Sequence, residues 1–246
     1  SLTVKNGSII AADNGSSELK KGIVNNGTLT VDEDSNYTTS ISGYHAVTNY
    51  GTTTVNDGKI TTDYRYGIWS DKSTSNLTVN GGQFTSNNGS GIGRTICTDG
   101  TVMINGGTFE SKGSSGSGDG YVDTIRIYGT GNLTISPKEG SAVSVTSSTD
   151  YAISCSDAAN LTINGGTFKC EGDRVEIMHF GGVITINGGT FYHEPDVNLL
   201  PNDRYFIKTD SGYVVLTAEY QDITVKNHDE PVSYTHLRAH ATGAYL

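Results

Sequence analysis

Apolar and polar residues alternate in short bursts along this chain, and the same burst keeps returning. In Leu161-Thr162-Ile163-Asn164-Gly165-Gly166-Thr167-Phe168, Leu161 and Ile163 fall on one side of an extended segment and Thr162 on the other. Asn164-Gly165-Gly166 ends the strand, because glycine accepts a positive φ at little cost and asparagine tolerates it better than most residues. Phe168 then opens a second strand and points inward. Close copies run from Leu77 to Phe84, Val102 to Phe109 and Ile184 to Phe191. Looser copies run from Leu2 to Ile9 and Thr53 to Ile60, while Leu29-Thr30-Val31 and Leu133-Thr134-Ile135 keep only the first three positions. The first residues of the eight copies are 27, 24, 24, 25, 31, 28 and 23 residues apart. A repeat of that length marks a solenoid.

A third apolar segment precedes many of the copies: Gly43 to Val47, Tyr66 to Trp69, Tyr151 to Ser154 and Val175 to Met178. Each coil therefore carries three short strands. A strand of three or four residues cannot bury a face alone, but coils stacked about 4.8 Å apart pair their strands in parallel and pile like side chains into columns. Each aromatic buried in such a column contributes about 1.5–3 kcal/mol, and the turn asparagines are placed to form a ladder. The expectation is an all-β, right-handed, single-stranded parallel β-helix of about eight coils, whose three-strand cross-section resembles the pectate-lyase-like fold. Phe84, Phe109, Phe168 and Phe191 are expected to make one continuous internal pile.

Four further features bound the function. With 26 Asp and Glu against 16 Lys and Arg, the net charge of −10 counts against nucleic acid and anionic membrane surfaces as partners. No apolar run approaches the roughly 20 residues of a membrane span. The 32 glycines suit a chain that turns a corner every few residues. Cys97, Cys155 and Cys170 contain no C-x-x-C and read as buried small apolar residues.

After Phe191 the pattern changes. His193-Glu194-Pro195-Asp196 leads to Tyr205–Lys208, a turn at Asp210-Ser211-Gly212, and Tyr213–Leu216, which reads as a hairpin. It would cap the open last coil, whose amides otherwise template other chains. Four divisions are expected: a β-helix over 1–195, a capping hairpin over 196–217, a linker or the start of a truncated next domain over 218–231, and a tail over 232–246. Ser1 stands directly before a strand, so the front looks cut. The run Val232-Ser233-Tyr234-Thr235-His236-Leu237-Arg238-Ala239-His240 resembles the translated end of a transposon-based sequencing adapter, with Ala241 where that frame has Glu. The tail is therefore expected to be non-native, and His236 and His240 are set aside as zinc ligands.

The Asn-Gly-Gly turns at 80–82, 105–107, 164–166 and 187–189, with the Asp/Pro turn and the closing hairpin, resemble a large family of β-helix surface proteins of gut bacteria. The resemblance covers about residues 1–217. It implies an exported, extracellular or cell-surface, adhesin-like protein.

Chemistry-bearing residues are sparse. Asp32-Glu33-Asp34-Ser35-Asn36 imitates the start of a calcium loop, but Tyr37 and Gly43 stand where Gly and the bidentate Glu are required. Gly116-Ser117-Gly118-Asp119-Gly120 lacks the strand, helix and Lys of a phosphate loop. A lyase needs several carboxylates and a basic residue on one face, and a glycosidase needs paired carboxylates. The nearest approach is Asp119, Asp123 and Arg126 beside a Gly/Ser-rich loop at 111–120, with Glu171, Asp173, Arg174, Glu176 and His179 two coils on. These are expected on a solvated face, alternating outward with Val175 and Ile177, and they are the binding candidates. Tyr64, Tyr66, Tyr121, Tyr128 and Tyr192 are candidate stacking surfaces for sugars. No catalytic residue, metal or cofactor is expected. The function expected is a non-catalytic structural or adhesive module contacting host or cell-wall glycans or other surface proteins. The alternatives are a polysaccharide lyase or hydrolase, and a rigid spacer.

Overall fold

The computed structural model describes residues 1–10, 20–34, 38–88, 93–113 and 123–218, together with the strands Ile223–Lys226 and Pro231–Tyr234. The alternating bursts become stacked coils with three parallel sheets along their length. Sheet A holds eight strands, from Leu2–Lys5 to Val183–Ile186, and sheet C holds seven, from Lys21–Asn25 to Ile177–His179. Sheet B begins at Ser8–Ile10 and reaches Gly189–Phe191 as its eighth parallel strand. Because the chain leaves for a hairpin after that strand, about seven turns close where the sequence shows eight copies of the repeat.

Register locks the columns. On sheet A, Leu29, Thr53, Leu77, Val102, Leu133, Leu161 and Ile184 lie over one another. On sheet B the column runs Ile9, Ile41, Ile60, Phe84, Phe109, Val145, Phe168, Phe191. The phenylalanines therefore do not form one pile. Phe84 stacks on Phe109 at 4.6 Å and Phe168 on Phe191 at 5.0 Å, with Val145 between the two pairs. Val145 and Ile41 supply the inward residue in the two coils whose repeat stops after three positions, each following a longer turn. Both are fully buried.

The two glycines of Asn-Gly-Gly do different jobs. The second takes positive φ, 98° at Gly82, 112° at Gly107, 110° at Gly166 and 118° at Gly189. The first lies against the coil beneath, where a Cβ at Gly106 would stand 2.4 Å from the Asn80 carbonyl oxygen. The asparagines form the expected ladder: Asn105 Nδ2 donates to Asn80 Oδ1 and Asn80 Nδ2 to Asn56 Oδ1, both at 2.9 Å. It breaks where Ser136 and Pro137 replace the turn and resumes from Asn187 to Asn164 at 2.8 Å.

The hairpin of Arg204–Thr209 and Gly212–Thr217 pairs antiparallel with Gly189–Phe191 and so extends sheet B past the last coil. Buried Leu199, in the turn Val197–Leu199, joins the core there. A separate antiparallel pair joins Ile223–Lys226 to Pro231–Tyr234. The second of these strands takes in Val232, Ser233 and Tyr234 of the adapter-like tail, and the rest of that tail, with His236 and His240, lies outside the described residues.

Candidate functional site

Sheet C carries packed aromatic rings outside its inward aliphatic column. Its inward column is Ile23, Val47, Ile68, Ile96, Ile125, Ile153 and Ile177. The next residue of each strand faces out, giving Val24, Thr48, Trp69, Cys97, Arg126, Ser154 and Met178 in register. Two residues before each inward Ile or Val, a second column reads Lys21, His45, Tyr66 and Arg94. Strict alternation would turn that column inward, yet its rings meet those of the first column. His45 stacks on Trp69 at 4.9 Å and lies 5.1 Å from Tyr66, and Tyr66 lies 6.0 Å from Trp69. The residue between is small where the backbones are close: a Cβ at Gly67 would meet the Thr95 carbonyl oxygen at 2.6 Å.

Tyr44 extends the aromatic bed, edge-on to His45 at 4.9 Å and stacked on Tyr64 at 5.9 Å. Trp69 Nε1 donates to Tyr128 Oη at 3.3 Å, and that hydroxyl donates to Asp71 Oδ1 at 2.8 Å. Cations rim the bed: Lys21 Nζ sits 5.6 Å over Trp69, and the Arg65 and Arg94 guanidinium carbons sit 5.3 and 6.0 Å over Tyr66. Each such contact contributes about 0.5–1 kcal/mol where exposed and more where desolvated.

Beneath the rim lies a buried charge pair. Arg94 Nε and Nη2 both donate to Asp123 Oδ2 at 3.2 Å, and Ser154 Oγ donates to the same oxygen at 2.6 Å. Asp123 is 1% exposed, and its Oδ1 has no hydrogen-bond partner. Burial raises the Asp123 pKa against the opposing pull of Arg94. Nδ1 of His45, also 1% exposed, is likewise unpartnered. Burial, with Lys21 and Arg65 nearby, lowers the His45 pKa from 6.5 to about 4, so the ring is neutral at pH 7. The Cys97 thiol, beside Trp69 and Arg126 in the outer column, is pushed up to about 11 by burial.

The binding candidates read from the sequence do not converge. Asp119 lies outside the described residues, as does Tyr121. Asp123 is buried rather than solvated, while Arg126 is half-exposed in the outer column two strands from Trp69. Glu171 and Asp173 occupy an exposed turn, Glu171 pairing with Lys169 at 3.2 Å. Arg174 pairs with Asp150 at 3.0 Å and lies over the Tyr151 ring. Glu176 reverses the expected alternation, being 2% exposed while Val175 is 45% exposed. It turns inward because donors meet it from two sides: beyond the last coil His193 N lies 3.2 Å from Glu176 Oε1 and His193 Nδ1 2.9 Å from that oxygen, and within the solenoid Cys170 N, at the end of Thr167–Cys170, donates to it at 3.3 Å. Glu176 therefore fastens the cap. His179 is exposed, its Nε2 3.3 Å from the Gly182 carbonyl oxygen.

Of the candidate tyrosines, Tyr64, Tyr66 and Tyr128 share the aromatic bed, and Tyr192 stands apart beside His193. Ser35, Asn36 and Tyr37 of the calcium-like stretch lie outside the described residues. Among the described residues no group of three or more His, Cys, Asp or Glu is placed to hold a metal, and no helix is long and apolar enough to cross a membrane. Cys97, Cys155 and Cys170 are free and buried.

The chain matches no family model, no curated protein and no solved structure. The outer face of sheet C therefore has to be read from its own chemistry. It offers flat apolar rings, neutral hydrogen-bonding groups and, in Lys21, Arg65 and Arg126, half-exposed cations on a parallel support, with Arg94 buried against Asp123. Lys21, His45, Trp69 and Arg94 were missing from the sequence-based candidates. Counting one residue outward from each inward Ile or Val would have set Trp69, Cys97 and Arg126 in line.

Proposed function

We propose that this chain is a non-catalytic module of an exported bacterial cell-surface protein and that it contacts glycans on the outer face of sheet C. One observation carries the reading: Tyr44, Tyr64, Tyr66, Trp69 and Tyr128 gather with His45 on one face of a rigid sheet. Pyranose rings present flat C–H faces that suit such a bed, and their hydroxyls need the hydrogen-bonding groups that border it. Rigid strands fix these groups in advance, which limits the ordering cost of binding. Extracellular location is part of the proposal and rests on the resemblance of the repeats and hairpin to surface proteins.

The test is a glycan array probed with the purified chain beside Trp69→Ala. Binding by the parent and its loss in the variant support the reading. If the parent binds nothing, a rigid spacer is the better description.

A carbohydrate-active enzyme is the second reading, favoured by Asp123, a buried carboxylate whose pKa is raised as in many general acids. It predicts new reducing ends or unsaturated products from a polysaccharide, lost in Asp123→Asn. Their absence across plant, host and cell-wall polysaccharides leaves the binding module.

A further inference from the structure

We infer that the glycan taken by sheet C is acidic, an oligosaccharide bearing carboxylate or sulfate groups laid along the solenoid axis across Trp69. This rests on the glycan-binding reading and adds the charge and direction of the ligand.

The chain as a whole repels anions, with a net charge of −10, yet this face gathers Lys21, Arg65, Arg94 and Arg126. Arg94 is buried and its charge is met by Asp123, so the cations that can meet a ligand are Lys21, Arg65 and Arg126, against Asp71, which accepts from the neutral Tyr128 hydroxyl and keeps its charge. Asp63, at the corner before Tyr64, is exposed and accepts from Asn87. Lys21 and Arg126 carry the argument, because among the described residues neither has an ion-pair or hydrogen-bond partner. Lys21 Nζ reaches over the indole at 5.6 Å, and Arg126 lies two strands further along the same outer column, roughly 10 Å in backbone spacing. Two separated cations, one over the indole and one about two strands beyond it, fit a chain of charged rings running parallel to the axis rather than a single small anion.

The orphaned polar atoms supply the second, independent indication. Buried side-chain groups normally find partners, and leaving one unpaired is costly. His45 Nδ1 and Asp123 Oδ1 both lack one; His45 packs directly on Trp69 and Tyr66, and Asp123 is joined to the bed through Arg94, which lies over Tyr66. Asp123 Oδ1 is an unpartnered acceptor closed off beneath Arg94, and a ligand hydroxyl reaches it only where the Arg94 side chain moves aside. Neutral His45 can take or give one hydrogen bond at Nδ1, according to its tautomer. Sugar hydroxyls meet both needs, whereas a simple anion would oppose Asp123.

The full chain is titrated with an oligogalacturonate, with its fully methyl-esterified form and with a sulfated galactan, following the emission of Trp69, the single tryptophan. At least one anionic ligand is expected to bind about tenfold or more tighter than the methyl ester, the size of one charge-assisted hydrogen bond. Its affinity should fall between 50 and 500 mM NaCl, the ester's should not, and whichever anion binds identifies the acidic group. Arg126→Gln and Lys21→Gln, both on half-exposed side chains, should each weaken the anion several-fold and flatten its salt dependence, with the ester weakened less. Equal binding of ester and acid overturns the acidic preference while leaving glycan binding standing. Binding of neither, together with an empty array, removes both. An anion that binds equally well to Arg126→Gln and Lys21→Gln overturns the placement.

Discussion

Truncation of Phe109 tests the column on which the architecture stands. Phe109 is fully buried on sheet B, in register with Phe84 on one side and Val145 on the other. Its ring lies 4.6 Å from that of Phe84 with 16° between the planes. Phe109→Ala removes the ring from the middle of the stack, so both neighbouring coils lose contact and neither can close the gap without slipping its ladder. Buried Phe to Ala costs about 3–5 kcal/mol, and the lost ring pair accounts for roughly 0.5–1.5 kcal/mol of that. Thr85→Ala, on the adjacent strand and facing outward, is the control and should stay within about 0.5 kcal/mol. Urea unfolding followed by Trp69 emission measures both, and circular dichroism checks that the strands remain. Neighbour-only coupling further predicts that coils beyond the lesion keep their protection against hydrogen exchange longer than those beside it. A loss below about 1 kcal/mol, indistinguishable from Thr85→Ala, would refute the stacked column.

His45 makes stability depend on pH: its folded pKa of about 4 lies below the ordinary 6.5, so the unfolded chain takes up the extra proton in that window. Its contribution is intact above pH 6.5 and is lost as pH falls toward 4, by at most about 3.5 kcal/mol at 1.36 kcal/mol per pKa unit. Chemical denaturation across that range should show the slope, and His45→Gln should flatten it; an unchanged slope in the variant refutes the assignment. Glu176→Ala leaves the Cys170 and His193 amides without their acceptor and should cost about 2–4 kcal/mol. Hydrogen exchange should quicken in 193–217 before it does in Lys21–Asn49, and uniform quickening would deny Glu176 its role as the cap fastening. Gly182 has φ +79°, and a Cβ there would lie 1.9 Å from the Ala159 carbonyl oxygen, whereas one at Gly27 would meet nothing within 4 Å. Gly182→Ala should therefore lower thermal stability markedly and Gly27→Ala hardly at all; equal effects refute the close approach. Raised to about 11 by burial, the Cys97 and Cys155 thiols should react with a thiol reagent only at the rate of unfolding, and fast labelling of the folded chain would contradict it.

The architecture was legible because a solenoid writes each structural position into the sequence many times. Leu77, Val102, Leu133 and Leu161 repeat one environment, so a single local reading is checked four times over. Even the closing hairpin showed itself through Asp210-Ser211-Gly212 between two apolar runs. What alternation could not convey was sheet C. There His45, Tyr66 and Arg94 sit two residues before an inward side chain and still face outward. Asp123 and Glu176, charged and near the ends of strands, read as solvated. Their burial depends on partners far away in sequence, Arg94 and Ser154 for one and His193 for the other. Of the outward bed, Tyr64, Tyr66 and Tyr128 were legible as surface aromatics, whereas His45 and Trp69 were not, because single residues carry no repeat and only stacking brings them together.

The ladders on either side of Asn76–Val79 share one register, Asn76 standing over Thr52 and under Thr101. Excising one whole period between equivalent corners would thus rejoin neighbours whose side chains already match. Length becomes a quantity that unequal recombination can adjust in increments of one turn, about 4.8 Å each, without redesign of the interior. A molecule assembled this way can alter how far it extends while keeping the same cross-section throughout.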